Sequence, residues 1–267
     1  MSRISATFEK LAQERRKALI PFFTVGDPSL HQCVPTMQAM VAGGADLIEL
    51  GIPFSDPMAD GPTIQRASER ALKQGVSLND VLDAVSRFRQ GDVATPVVLM
   101  GYANPIERMG REAFAERCAE AGVDGVLVVD YPPDEARALG ALLSPRNIDS
   151  IFLLSPTSTD ERIKEIAAMS TGYIYYVSLR GVTGASNIDV ADVARQVARI
   201  KSVARVPVGV GFGIRDDATA RALSAVADAI VVGSRIVEEI ETSSESQAPA
   251  AVGALINRFR QAMDADR

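Results

Sequence analysis

Eight short apolar runs recur along the chain, and they constrain the fold more than any other feature. They are "ALIPFFT" (18–24), "DLIEL" (46–50), "PVVLM" (96–100), "GVLVVD" (125–130), "SIFLL" (150–154), "YIYYV" (173–177), "VPVGVG" (206–211) and "DAIVVG" (228–233). Each is too short for a helix, bounded by Gly, Pro or Asp, and apolar at consecutive positions. A strand needs that pattern only when both of its faces are buried, as in a parallel sheet covered by helices. Helical patterns such as "REAFAERCAEAG", "DERIKEIAAMS" and "VADVARQVARIKSV" fill the intervals, and Ser158 followed by Glu161 reads as a capping box before one of them. Strand–helix alternation repeated eight times predicts a closed (β/α)8 TIM barrel. The length, 267 residues, is close to the roughly 250 typical of that fold. An open doubly wound sheet competes, but it would carry a GxGxxG turn after its first strand, and here that strand runs into "GDPSL".

Two additions to the barrel are expected. The N-terminus, "MSRISATFEKLAQERRK", reads as an amphipathic helix preceding the first strand. The second and third runs start at Asp46 and Pro96, 50 residues apart, which leaves room for an extended loop and an extra helix, and long loops on a barrel are where function is kept. "ETSSESQAPA" (241–250) reads as a polar loop before a last helix. Nothing resembles a linker, so residues 1–267 are expected to form one barrel domain.

Charge and composition remove several function classes. Net charge is −6, with 28 Lys and Arg against 34 acids and no dense basic cluster, so a nucleic-acid footprint is missing. No apolar stretch approaches the ~20 residues of a membrane span, and the N-terminus has no signal-peptide core. Cys33 and Cys118 sit in helical patterns and read as reduced thiols of a cytoplasmic protein. The single histidine, His31, falls at a helix start and reads as a surface residue, so a His-based metal site is not expected.

Barrel active sites lie at the C-terminal ends of the strands. There, three glycine-bearing turns follow one another: "RGVTGAS" with Gly181 and Gly184, "GFGIRDD" with Gly211 and Gly213, and "VGSR" with Gly233 and Ser234. Glycines let backbone N–H groups approach an anion, and helix N-termini add donors and a favourable dipole. This succession predicts a phosphate site, and since no Lys occurs in these turns, backbone amides are expected to supply most of the binding. Glu49 is set in the apolar run "LIEL", on the same face as Leu47. An inward carboxyl there would be desolvated, its pKa raised towards the range where it both gives and takes a proton. Asp60 follows on a loop able to fold over the mouth, with a solvated acid or a helix N-cap as the alternative, while Asp56 in "SDP" reads as turn-forming. A divalent metal held by Glu49, Asp56 and Asp60 lacks a supporting His. No lysine sits at a strand end, as a Schiff-base aldolase requires. Proton transfer by two carboxylates on a phosphorylated substrate is the simplest reading. The other inward candidates are Phe22, Met100, Tyr102, Leu127, Val129, Leu153, Tyr175 and Phe212, which would suit a flat apolar ring near the mouth.

"LIELGIPFSDPMADGPTIQ", "MGYANPI", "SLRGVTGA", "GVGFGI" and "VVGSRIV" together resemble the tryptophan synthase alpha-subunit family, over nearly the whole chain. The resemblance implies cleavage of indole-3-glycerol phosphate to indole and glyceraldehyde 3-phosphate, with Glu49 as the general acid/base and Asp60 on the indole N–H. It implies Gly184, Gly213, Gly233 and Ser234 at the phosphate, Phe212 and Tyr175 at the indole pocket, and Thr183 bonding the strand-2 loop on closure. It further implies no metal and no cofactor in this chain. The partner is a beta subunit that carries pyridoxal phosphate in an alpha2beta2 heterotetramer, contacted near Pro57 and Asn104. A stand-alone lyase releasing free indole is the alternative.

Overall fold

A computed structural model describes residues 1–178, 189–211 and 213–265. Its eight strands are β1 (Ala18–Thr24), β2 (Ile48–Gly51), β3 (Val97–Gly101), β4 (Gly125–Val128), β5 (Asp149–Leu154), β6 (Ile174–Val177), β7 (Val208–Gly211) and β8 (Ala229–Val232). All pair in parallel and in sequence order, and β8 returns to β1, closing the barrel. The helices are α1 (Arg3–Gln13), α2 (Leu30–Gly43), α3 (Pro62–Lys73), α4 (Leu78–Arg89), α5 (Ala103–Met109), α6 (Arg111–Ala121), α7 (Pro133–Leu143), α8 (Asp160–Met169), α9 (Val190–Lys201), α10 (Asp217–Ser224), α11 (Ser234–Thr242) and α12 (Ala248–Asp264). The fold is therefore a TIM barrel with an N-terminal helix and, between β2 and β3, a long loop and two helices. Among the described residues no helix is long and apolar enough to cross a membrane.

The aspartates that precede the strands have a definite task. Asp46, Asp124 and Asp228 accept hydrogen bonds from the N–H groups of Leu19, Val97 and Val208 at 2.8, 2.8 and 3.0 Å. Each satisfies a donor at the start of the preceding strand, a group that would otherwise be left without a partner at the barrel's rim.

Two apolar layers result from the alternation along each strand. Residues such as Leu19, Ile48, Leu50 and Leu99 point outward and pack beneath the helices. Ala18, Ile20, Leu47, Val98, Leu127, Ile151 and Tyr173 fill the interior, where Ile4, Phe8 and Leu11 of α1 join them. Phe8 reaches the Tyr173 ring at 6.0 Å between centroids. Helix α1 thus plugs the N-terminal end of the barrel, and each of its three buried apolar side chains contributes roughly 1.5–3 kcal/mol. With that end closed, the interior opens only at the C-terminal ends of the strands.

Three local features differ from expectation. The cap of α8 is Thr159, whose side chain accepts from the Arg162 N–H, and not Ser158. The Ser158 hydroxyl is used one turn earlier, accepting from Ser155 N at 3.0 Å. The polar segment before the last helix is shorter than 241–250, because α11 runs to Thr242 and α12 starts at Ala248, where Pro249 fits the first turn. A short helix, α5, follows β3 directly, with Asp130 accepting from the Ala103 N–H at 2.7 Å.

Candidate active site

At the C-terminal end of the strands lies a cavity of about 250 Å³. Of the residues expected from the sequence, Glu49, Asp60, Phe22, Met100, Tyr175, Gly213, Gly233 and Ser234 line it. Tyr102 and Val129 instead line a much smaller hollow beside it, which Asp60, Phe22 and Met100 share. Leu127 is fully buried one layer down in the barrel interior, and Leu153 packs against that layer; neither borders the cavity. Thr183, Gly184 and Phe212 lie outside the described residues. Asp56 is exposed, with Ser55 donating to its carboxylate, and does not line the cavity. Among the described residues no group of three His, Cys, Asp or Glu is placed to hold a metal ion.

Glu49 enters the cavity because β2 alternates: Leu47 fills the interior below it, and the register sets it beside Phe22 of β1 and Val98 of β3. It is 0% exposed. Burial pushes its pKa up to about 7, against the opposing pull of a hydrogen bond from the Tyr173 hydroxyl to Oε1. Oε2 has no partner among the described residues. A carboxyl in this state is protonated for much of the time near neutrality and has one oxygen free for chemistry. In the sequence Tyr173 is one more residue of an apolar run, with nothing to mark a role.

Asp60 precedes the Gly61 cap of α3 and is itself not the cap. Its backbone is fixed locally: its N–H donates to Pro57 O at 3.0 Å, and its C=O accepts from Gln65 Nε2 at 2.9 Å. Tyr102 donates to Asp60 Oδ2 at 3.1 Å and accepts from Ala59 N at 3.1 Å. The ring of Tyr102 stacks on Phe54, 5.1 Å between centroids, so the loop after β2 is tied to the end of β3 at both polar and apolar contacts. Burial raises the Asp60 pKa to about 6, with the Tyr102 bond opposing.

The opposite wall is suited to an anion. Gly213 has φ +76°, a left-handed conformation that favours glycine, and it turns the chain after β7 into the cavity. Gly233 and Ser234 open α11 with no side-chain cap, so the first N–H groups of that helix are available to a ligand. The β7 glycine Gly211 makes room for Tyr175: a Cβ there would fall 2.5 Å from Tyr175 Cζ and closer still to its hydroxyl. Arg215, Ile214, Thr63 and Ile64 also line the cavity and were not singled out from the sequence.

Known proteins resemble the chain over nearly its whole length. The family model described as tryptophan synthase alpha chain matches residues 8–264. A tryptophan synthase alpha chain of Azoarcus sp. is 59% identical over 264 residues, covering 99% of this chain and 97% of that one. That of Cupriavidus taiwanensis is 60% identical over 265 residues, covering 99% and 100%. The crystal structure of the alpha subunit from Legionella pneumophila superposes with a TM-score of 0.92 at 42% identity, covering 99% of both chains. A chain of Mycobacterium tuberculosis tryptophan synthase superposes with a TM-score of 0.88 at 37% identity, covering 98% of both. The barrel, the motifs along it and relatives that match end to end agree: the chain belongs to the tryptophan synthase alpha chain family and is a lyase-type enzyme subunit.

Proposed function

We propose that Glu49 and Asp60 carry out a retro-aldol cleavage of indole-3-glycerol phosphate to indole and glyceraldehyde 3-phosphate. The observation that carries this reading is a fully buried carboxyl with a pKa near 7, sharing one cavity with a second carboxylate and with the open N-terminus of α11. The indole would lie against Phe22, Met100 and Tyr175, with Val129 beside them and Phe212 completing the pocket. The phosphoryl group would meet the backbone N–H groups around Gly213, Gly233 and Ser234, joined by Gly184.

Protonated Glu49 gives its proton to indole C3. The ring nitrogen lends its lone pair and becomes cationic, and ionised Asp60 accepts its N–H and offsets the charge. Glu49, now a carboxylate, takes the proton of the side-chain hydroxyl. The oxygen forms the aldehyde C=O, the C–C bond breaks, and its electron pair returns to the ring, which regains aromaticity as indole. Glu49 ends protonated, so the cycle balances. Tyr173 holds the carboxyl in place, and Tyr102 holds Asp60. A dry cavity strengthens both electrostatic effects, and Thr183, in the segment after β6, is proposed to bond the β2 loop when the cavity closes.

The partner is a beta subunit that binds pyridoxal phosphate and consumes the indole in an alpha2beta2 heterotetramer, so this chain needs no cofactor of its own, and the complex is placed in the cytoplasm. What supports a docking surface is a groove of about 760 Å³ between the β2 loop and α5, bordered by Phe54, Asp56, Asn104 and Arg108, next to Pro57. Nothing observed favours a stand-alone lyase over the synthase subunit. Indole release from indole-3-glycerol phosphate, measured with the chain alone and with a beta subunit added, tests both points: activity that rises with the partner is expected, and no indole under either condition would sink the reading.

A further inference from the structure

Among the described residues lining the cavity, Arg215 is the sole cation, facing a site whose acidic members are Glu49 and Asp60. It stands two residues after the left-handed turn at Gly213. Its Nη2 donates to Glu238 Oε1 at 2.6 Å, one turn into α11 from Ser234, and its remaining guanidinium nitrogens have no bond among the described residues. The acids next to it in the chain are occupied elsewhere: Asp216 caps α10 through Thr219 N, and Asp217 pairs with Arg258. The Arg215 side chain is 64% exposed, and an ion pair so open to water holds its partners weakly.

We propose that Arg215 is a phosphoryl-binding residue and that Glu238 is its competing intramolecular partner. The proposal rests on the functional reading above and adds a charged arm to its backbone-amide phosphate site. In the free chain the guanidinium rests on Glu238. A phosphate monoester seated at the α11 N-terminus brings two negative charges and three acceptor oxygens, a better partner for the guanidinium fork than one carboxylate. Arg215 then leaves Glu238 or bridges the two. Glu238 opposes binding twice, by holding Arg215 and by repelling the dianion. It follows that the two charges act with opposite sign on affinity.

Calorimetric titration of the whole chain with glycerol 3-phosphate, and with glycerol as the uncharged control, tests this. Wild type is expected to bind the phosphate ester and not glycerol. Arg215→Gln should bind it about tenfold more weakly, the size of one lost charge-assisted contact at a half-open site, and should flatten the fall of affinity with added salt. Arg215→Lys should recover part of the loss. Glu238→Gln should bind severalfold more tightly, and that gain should shrink in the Arg215→Gln background. Because Arg215 is largely exposed and Glu238 is half-buried with an exposed partner, thermal unfolding should change little in the variants, and in turnover assays KM should rise in Arg215→Gln with kcat nearly constant. If wild type binds no phosphate ester, the functional reading fails and this inference with it. If wild type binds but Arg215→Gln matches it, or Glu238→Gln binds more weakly, the inference alone is overturned.

Discussion

The Tyr173 hydroxyl, one residue before β6, donates to the Glu49 carboxylate of β2, on the far side of the eight-stranded barrel. Both side chains are fully buried, and burial and the Glu49 charge hold the tyrosine pKa well above its ordinary value, so it remains the donor. The bond favours the ionised carboxylate, while desolvation favours the neutral acid and dominates. Glu49 is therefore poised by two opposed effects, each with an identifiable source.

The pH dependence of kcat/KM follows. Asp60 must be ionised to stabilise a cationic ring, and Glu49 must be protonated to deliver a proton. Activity should rise as Asp60 ionises near pH 6 and fall as Glu49 loses its proton near pH 7, giving a narrow bell whose limbs belong to the coupled pair. Tyr173→Phe removes the bond that favours the carboxylate, so its falling limb should move to higher pH while the rising limb stays. A falling limb that moved to lower pH would contradict this assignment.

Stability should show the same carboxyl. The Glu49 pKa is about 7 in the folded chain against 4.5 for the ordinary carboxyl. A raised acid pKa means that the protonated form is the one the fold favours. Its contribution is fully present below pH 4.5 and is lost as pH rises through about 7. The loss is on the order of 3 kcal/mol if the whole shift is expressed. Glu49→Gln cannot ionise, so in urea unfolding it should gain on wild type between pH 4.5 and pH 8, whatever its offset at low pH. A constant difference across that window would show that Glu49 titrates normally in the fold.

Gly211 and Tyr175 form a second coupled pair. A methyl at Gly211 would collide with the Tyr175 hydroxyl and ring, and Tyr175 lines the cavity. Gly211→Ala should therefore destabilise the chain by about 1–3 kcal/mol, as overpacking does, and weaken substrate binding through the displaced ring. Tyr175→Phe removes the nearest atom and should restore part of both losses, which unfolding curves and KM values of the double variant would reveal. Additive losses in the double variant would mean that the two side chains do not meet.

The barrel was legible because doubly buried strands have no choice but to be apolar throughout, and eight of them left eight unmistakable runs. Glu49 was legible for the converse reason, since a carboxylate in such a run is an exception that packing does not explain. Tyr173 was hidden because a tyrosine in an apolar strand satisfies packing on its own. Only the shared inward face of residues 173 and 175, set opposite the face of Glu49, would have pointed to it. Leu127 and Leu153 were drawn into the expected pocket because alternation gives a side chain's face but not its depth, and the interior layers below the mouth look the same in sequence. Arg215 escaped because a cation two residues beyond a glycine turn has no periodic signature. The cap of α8 shifted by one residue because Ser158 and Thr159 stand side by side and either could cap it, and α11 and α12 reach into the polar segment because polar residues there still fit a helix's last and first turns.

The most direct test of Glu49 as the proton-transfer group is the Glu49→Gln variant assayed with indole-3-glycerol phosphate and a saturating beta subunit. It is expected to bind substrate with near wild-type affinity and to cleave it at least about a thousandfold more slowly, as loss of the group that both gives and takes the proton requires. Cleavage within a few fold of wild type would remove Glu49 from the chemistry and with it the proposed mechanism.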